Sequence, residues 1–281
     1  MKQLIYIFVG CLIASTLSAQ SVNLKGKTIS ICDDGAEWPP YTYYERENGK
    51  KTEELVGYSV DVIREIFTKY GIKFTLAIIP WQRCQNEVDI GTKYQMFLSG
   101  GLNPGRIKRY HISQPYYFTN SYYFWSKKNH PNGLDISNKS LKAALWDLMN
   151  KYKMGNIIGY GMGQSKSLGL DTSKVDTGAK DYKALKSKIL KGRVDNFNES
   201  MEILSGLAAI GSTDIVNDPD IAYAPLPHAT PRGYQMMFTK QQKIGLQLRD
   251  LVDREITQMR AIGRLDELMK KYIKGSQPLF N

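Results

Sequence analysis

The amino-acid sequence predicts an α/β protein built as two doubly wound lobes, and three observations carry that expectation. The chain has 281 residues, too many for one minimal core and enough for two lobes that each bury an apolar interior. Strand-like and helix-like runs alternate along most of it, the pattern of largely parallel sheets covered by helices. A polar, turn-rich stretch from Lys128 to Gly133 divides that alternation into two series. Hydrophobic residues at 42% and charged residues at 23% fit a globular chain in solution, and argue against both disorder and a membrane bundle.

The first series opens with Thr28 to Cys32, a short β-rich run that ends in Asp33-Asp34-Gly35. Pro39-Pro40 then forbids continued regular structure, because proline fixes φ and has no N–H to donate. From Ser59 to Tyr70 the apolar residues Val62, Ile63, Ile66, Phe67 and Tyr70 recur at helical spacing. Ser59 stands where an N-cap is expected, Asp61 falls in the first turn and Gly71 lies just past the end. Lys73 to Pro80 reads as the next strand, Trp81 to Val88 as a helix, and Tyr94 to Ser99 as a third strand running into Gly100-Gly101 and Pro104-Gly105. That order is one half of a doubly wound lobe. Ser121 to Lys127 is a further, aromatic strand, after which the polar divide begins.

In the second series Ile157 to Tyr160 reads as a strand that enters Gly161-Met162-Gly163-Gln164-Ser165. Tyr182 to Leu190 is helical and stopped by Gly192, and strands are expected at Val194 to Phe197 and at Ala222 to Leu226. Pro225, Pro227 and Pro231 break the chain, Gly233 to Thr239 is strand-like, and Ile244 to Ile273 is helical with an interruption at Gly263. So long a helical tail needs a core to cover, which implies a return to the first lobe.

The first nineteen residues have a different character. Lys2 gives a positive start, Leu4 to Leu17 is an uncharged run of signal-peptide length, and small residues around Ala19 offer a cleavage site before Gln20. The run is too short to span a bilayer. Phe8-Val9-Gly10-Cys11 loosely resembles a lipobox, but cleavage there would leave a hydrophobic core of only about seven residues, so lipid anchoring at Cys11 is disfavoured. Removal of Lys2 and Cys11 takes the formal charge from +11 to +10 and the cysteines from three to two. The basic residues are dispersed along the chain instead of clustered in an arm or stripe, which argues against nucleic acid. Cys32 and Cys84 would form either a disulfide in an oxidising compartment or a pair of buried thiols. The three histidines are scattered singly with no metal-ligand spacing, so no metal and no cofactor is expected.

Several segments in this order resemble the type II periplasmic solute-binding proteins of the amino-acid class, the extracellular family 3 group that feeds ABC importers. They are Pro39-Pro40-Tyr41, Gly57-Tyr58-Ser59-Val60-Asp61-Val62, Asn103-Pro104-Gly105-Arg106, Ser113-Gln114-Pro115-Tyr116-Tyr117 and Gly263-Arg264-Leu265-Asp266, with Lys271-Tyr272 in the tail. The resemblance implies two α/β lobes joined by a two-strand hinge, near Ser121 to Lys127 and near Gly233 to Thr239, with a ligand cleft between them. The expected divisions are a signal peptide at 1–19, lobe one at 20–125, lobe two at 126–232 and the returning part of lobe one at 233–281. It also implies an exported, non-enzymatic monomer in the periplasm that passes a small polar ligand to an inner-membrane ABC permease. A membrane sensor is the alternative partner, and a dehydratase-like enzyme on the same fold the more remote alternative.

Carried over residue by residue, the resemblance makes Arg106 the grip on a ligand carboxylate, since a planar guanidinium holds a carboxylate bidentately. Arg109 is the neighbouring arginine with no such role. Gly163, Gln164 and Ser165 match the segment that offers backbone N–H groups to the same carboxylate, Gln164 departing from the usual hydroxyl residue. Tyr41 matches an aromatic that packs on the ligand, and Trp38 and Trp81 extend that wall. Where relatives hold an α-amino group with Ser or Thr this chain has Gly101, and the usual aspartate of lobe two has no match in register. Either Glu199 substitutes, or the ammonium finds Asp33, Asp34 or Glu37, or the ligand has no ammonium. The aromatic run from Tyr116 to Trp125 is read as core.

Overall fold

The computed structural model describes residues 24–273, so the expected signal segment, with Ala19 and Cys11, lies outside the described residues. The chain begins with β1 (Thr28–Asp34), a hairpin of β2 (Tyr43–Glu47) and β3 (Lys50–Val56), α1 (Tyr58–Lys69), β4 (Lys73–Ile79), α2 (Trp81–Ile90) and β5 (Met96–Gly101). It continues through α3 (Pro104–Arg109), β6 (Tyr110–Ile112) and β7 (Tyr117–Thr119). β1 runs parallel to both β4 and β5. Ile29 and Ile31 are buried between them, and α1 covers the sheet with Val62, Ile63, Ile66 and Phe67.

The second series comprises β8 (Ser121–Ser126), α4 (Leu141–Asn150), β9 (Gly155–Ile157), α5 (Gly163–Ser167), β10 (Asp176–Ala179) and α6 (Tyr182–Leu190). It ends with β11 (Asn196–Ser200), α7 (Met201–Ala209) and β12 (Ile221–Pro225). The chain then forms β13 (Arg232–Thr239), α8 (Lys243–Ala261) and α9 (Arg264–Lys270). The first sheet has the order β4-β1-β5-β13-β6, with β7 also on β13. In the second, β10 pairs with β9, a parallel bridge at Met154 and Asn196 joins that pair to β11, and β8 lies antiparallel between β11 and β12. The two orders correspond strand for strand. In each, the strand that runs against its neighbour from the parallel set, β13 or β8, is the one that arrives from the other sheet.

The two crossings lie side by side, because Thr119 pairs with Arg232 while β8 has already entered the second sheet at Ser121. The tail does return to the first lobe. α8 buries Leu248, Leu251, Val252, Ile256 and Met259, and its buried Glu255 accepts a hydrogen bond from Lys69 Nζ of α1 at 2.7 Å.

Three local expectations are corrected. Ser59 is not a cap: Gly57 occupies the N-cap with φ 127°, where a Cβ would stand 2.3 Å from the Tyr41 carbonyl oxygen. Ser59 is buried instead and accepts a hydrogen bond from the Tyr116 hydroxyl at 2.6 Å. The strand expected at Ile157 to Tyr160 is Gly155–Ile157, since Gly159 at φ 78° turns the chain away. The strand expected from Val194 begins at Asn196, because the Asp195 carboxylate accepts from the Lys153 amide at 2.9 Å at the mouth of the sheet. The β2–β3 hairpin, α3, α4, α7 and β10 were not foreseen.

Cys32 at the end of β1 and Cys84 on α2 form a disulfide across 52 residues of chain, packed among Trp81, Val88, Phe97 and Tyr110. Removing the cross-link frees the unfolded chain to explore more states. The double variant Cys32→Ala/Cys84→Ala is therefore expected to lose about 2–5 kcal/mol of stability, read as an earlier urea midpoint. An unchanged midpoint would contradict the bridge.

Candidate functional site

A cavity of about 100 Å³ lies between the two lobes, at the carboxyl ends of the parallel strands of both sheets. Lobe one contributes Asp33 and Asp34 from the end of β1, Trp38, Trp81 from the start of α2, Ser99 and Gly101 from β5, and Arg106 from α3. Lobe two contributes Asn156, the turn Tyr160-Gly161-Met162, the first turn of α5 and the end of β11. Arg232 and Tyr234, at the start of β13, line the cavity from the crossing.

Arg106 is held from several sides. Asn103 caps α3 by accepting from the Arg106 amide at 2.9 Å. Nη1 donates to the Gly101 carbonyl at 2.7 Å, and Nη2 and Nε donate to Gln85 Oε1 at 3.0 and 3.3 Å. The guanidinium also lies over the Trp81 ring at 5.2 Å. Burial, and then the charge of Arg232, push its pKa down to about 10, so it remains charged at neutral pH. Arg109 faces away and pairs with Asp89 at 2.9 Å.

The acidic groups are held differently. Asp34 accepts from the Tyr160 hydroxyl of the opposite lobe at 2.6 Å, and from the Ala36 amide. Glu199 accepts from Tyr182 Oη at 2.5 Å and from the Ser200 amide at 2.7 Å. Neither oxygen of Asp33 has a hydrogen-bond partner, although the carboxyl is fully buried, and the hydroxyls of Ser99 and Thr42 are likewise unpartnered. Burial raises Asp33 to about 7 and Asp34 to about 6, and pushes Glu199 up as well.

The lobes touch around the cavity. A Cβ on Gly163 would stand 2.8 Å from the Leu102 carbonyl oxygen, so only glycine lets α5 meet the loop after β5 this closely. Trp38 packs edge-on against Tyr160 at 5.6 Å. Arg106, Gly101, Trp38, Trp81, Asp34, Glu199, Gly163, Gln164 and Ser165 are thus brought together.

Tyr41 is not among the cavity residues. It is fully buried beneath the cavity, stacked on Tyr117 at 3.8 Å. Glu37 is also elsewhere, paired with Arg46 at 2.9 Å. Sequence reasoning overlooked Arg232, Tyr160, Asn156 and Asn198. Extending the Gly233 to Thr239 strand by one residue would have put Arg232 and Tyr234 on one face; nothing local marked the other three. Among the described residues no group of His, Cys, Asp or Glu is placed to hold a metal.

The sequence matches the bacterial extracellular solute-binding proteins, family 3, over residues 30–275. No curated protein sequence matches it. The fold is similar to that of EhuB in complex with hydroxyectoine, at 21% identity over 89% of each chain and a TM-score of 0.68. It is similar to AbpA of Streptococcus pneumoniae, an amino acid ABC transporter substrate-binding protein bound to L-arginine, at 20% identity over 88% of this chain and 94% of that one, TM-score 0.64. A third likeness is to the ancestral amino acid-binding protein AncCDT-1, a precursor of cyclohexadienyl dehydratase, at 18% identity over 88% and 96%, TM-score 0.63.

The raised carboxyl of Asp33 makes stability depend on pH. The folded protein keeps this proton up to about 7 whereas the unfolded chain releases it near 3.8. The contribution is full below 3.8 and is lost as the pH rises through about 7. Asp33→Asn, which carries no charge to bury, should flatten the fall in melting temperature over that window for the ligand-free protein. An unaltered pH profile would mean that Asp33 is ionised at no cost.

Proposed function

Because the chain belongs to the bacterial extracellular solute-binding proteins, family 3, we propose that it captures a small polar carboxylate in the periplasm and delivers it to the permease of an ABC importer. The ligand class is an amino acid or related acid. The observation that carries this reading is the Arg106 guanidinium, charged, buried and facing a cavity enclosed by two lobes. A cleft that closes over a carboxylate must replace the water that solvated it, and a fixed counter-charge does so. The first turn of α5, with Gly163, Gln164 and Ser165, meets the same cavity from lobe two. Contact with both lobes makes ligand binding favour closure. In this reading the hinge is the two crossings at Asn120 and 227–231, not the expected neighbouring strands at Ser121 to Lys127 and Gly233 to Thr239, because β8 and β13 are paired within the sheets.

The amino-acid-binding protein bound to L-arginine supports a zwitterionic ligand: Arg106 would hold its carboxylate and the Asp33–Asp34 side its ammonium. The chemistry is binding; the family is one of binding proteins. Export places the processed protein, beginning near Gln20, in the periplasmic fraction. Full-length protein in the cytoplasm would refute this.

Arg106→Ala would leave the ligand's carboxylate unpaired in the closed cleft, at a cost of roughly 2–5 kcal/mol, enough to turn micromolar binding into millimolar or weaker binding. Arg106→Lys keeps the charge but loses the planar fork, so its affinity should fall between. Arg109→Ala should bind nearly as the wild type does. Calorimetry with the ligand that co-purifies, identified by mass spectrometry, measures all three, and solution scattering should show compaction on binding. Wild-type affinity in Arg106→Ala would remove the carboxylate reading.

A further inference from the structure

Arg232 opens β13 two residues before Tyr234, and strand alternation turns both side chains to the face that lines the cavity. Its guanidinium lies over the Tyr234 ring at 5.3 Å and packs against Gly101, where a Cβ would stand 2.5 Å from Nη2. Arg106 donates to the carbonyl of that same Gly101. Two guanidinium groups therefore flank one residue and face one cavity. Among the described residues neither has a carboxylate within ion-pair distance.

A buried guanidinium with a second, half-buried one beside it costs free energy that a shared counter-ion offsets. The acids of the cavity are poorly placed to serve. Glu199 does attract Arg232 through space, but it is engaged by Tyr182 and the Ser200 amide, Asp34 is engaged by Tyr160, and burial favours the neutral forms of Asp33 and Glu199. A ligand anion in the cavity would stand against both guanidinium groups at once. An ammonium, by contrast, would meet a cation beside Gly101.

We propose that Arg232 is a second anion-holding residue of the cleft and that, with Arg106, it selects ligands that carry two carboxylates, the class of short dicarboxylic acids and dicarboxylic amino acids. This rests on the cleft being the ligand site. Gly101 has a stated part in it: the absence of a side chain there is what admits the Arg232 guanidinium.

The test uses the mature protein, stripped of bound ligand by unfolding and refolding, with calorimetry and scattering against L-glutamate, succinate, L-glutamine and L-arginine. L-Glutamate and L-glutamine differ by one negative charge at nearly equal size. The wild type should bind L-glutamate about tenfold or more tighter than L-glutamine, a preference that Arg232→Gln should reduce to within about threefold while Arg232→Lys retains most of it. Gly101→Ala, which displaces the guanidinium without removing it, should behave as Arg232→Gln does; circular dichroism checks that each variant is folded. A wild type that compacts equally well around L-glutamine or L-arginine overturns this proposal and leaves the binding reading standing. A preference for L-glutamate that survives Arg232→Gln takes the role from Arg232. Neither heat nor compaction with any of the four acids overturns the proposal and the cleft reading together.

Discussion

Tyr117 lies stacked between Tyr41 at 3.8 Å and Tyr234 at 4.9 Å, and its hydroxyl accepts a hydrogen bond from Trp38 Nε1 at 3.2 Å. This pile joins three segments far apart in sequence: the loop after β1, the outgoing crossing at β7 and the returning crossing at β13. Each stacked pair contributes about 0.5–1.5 kcal/mol beyond the burial of its rings. The geometric consequence is larger than the energetic one. Trp38 and Tyr234, at the top of the pile, are cavity residues, so the floor of the cleft is fixed to both crossings. Asn120 and 227–231 are the short links left between the strands of the two sheets.

Charge is distributed over that floor in two fields. Arg106 and Arg232 flank Gly101, while Asp33 and Asp34 close the end of β1. Burial acts on both fields in the direction that removes charge, lowering the Arg106 pKa and raising those of the acids. The outcomes differ because the ordinary values differ. A guanidinium brought down to about 10 is still a cation at neutral pH, whereas an aspartate brought up to about 7 is half neutral. The cavity is therefore more cationic than a count of its ionisable residues suggests, in keeping with an acidic ligand.

Contact between lobes depends on small residues and on hydroxyls, among them Ser200, which donates to Thr119 Oγ1 at 2.7 Å. Gly163 allows α5 to reach the Leu102 carbonyl, Gly206 allows α7 to approach the Pro39 carbonyl, and Tyr160 donates across the gap to Asp34. Because Asp34 is also a cavity residue, the acid that links the lobes is adjacent to the space a ligand would fill. In the proposed binding role, closure and occupancy would share a residue, a direct physical route for one to bias the other.

How much of this was legible in the sequence follows from the range of the forces involved. The apolar spacing of Val62, Ile63, Ile66 and Phe67 reports a helix because burial of one face is a local, periodic property. The Pro39-Pro40 break, the Gly263 interruption and the tail's need for a core are equally local, and ten of the cavity residues could be named through the family resemblance. Tyr41 failed for the opposite reason: its motif position was read correctly, but the stack with Tyr117 and Tyr234 that draws it under the floor involves residues about 80 and 190 positions away. The hairpin at Tyr43–Val56 carries mostly charged side chains and so showed no apolar alternation to read. Arg232 and Tyr160 acquire their placement only when β13 pairs with β5 and when α5 meets the loop after β5. Sequence alone thus determined many of the element types and the two-lobe class, since periodicity and turn chemistry act between near neighbours, while Arg106 was singled out only through resemblance to a family. Tertiary structure decided which side chains share the cavity and which charges face one another, because pairing and burial are set between residues that the chain brings together only on folding.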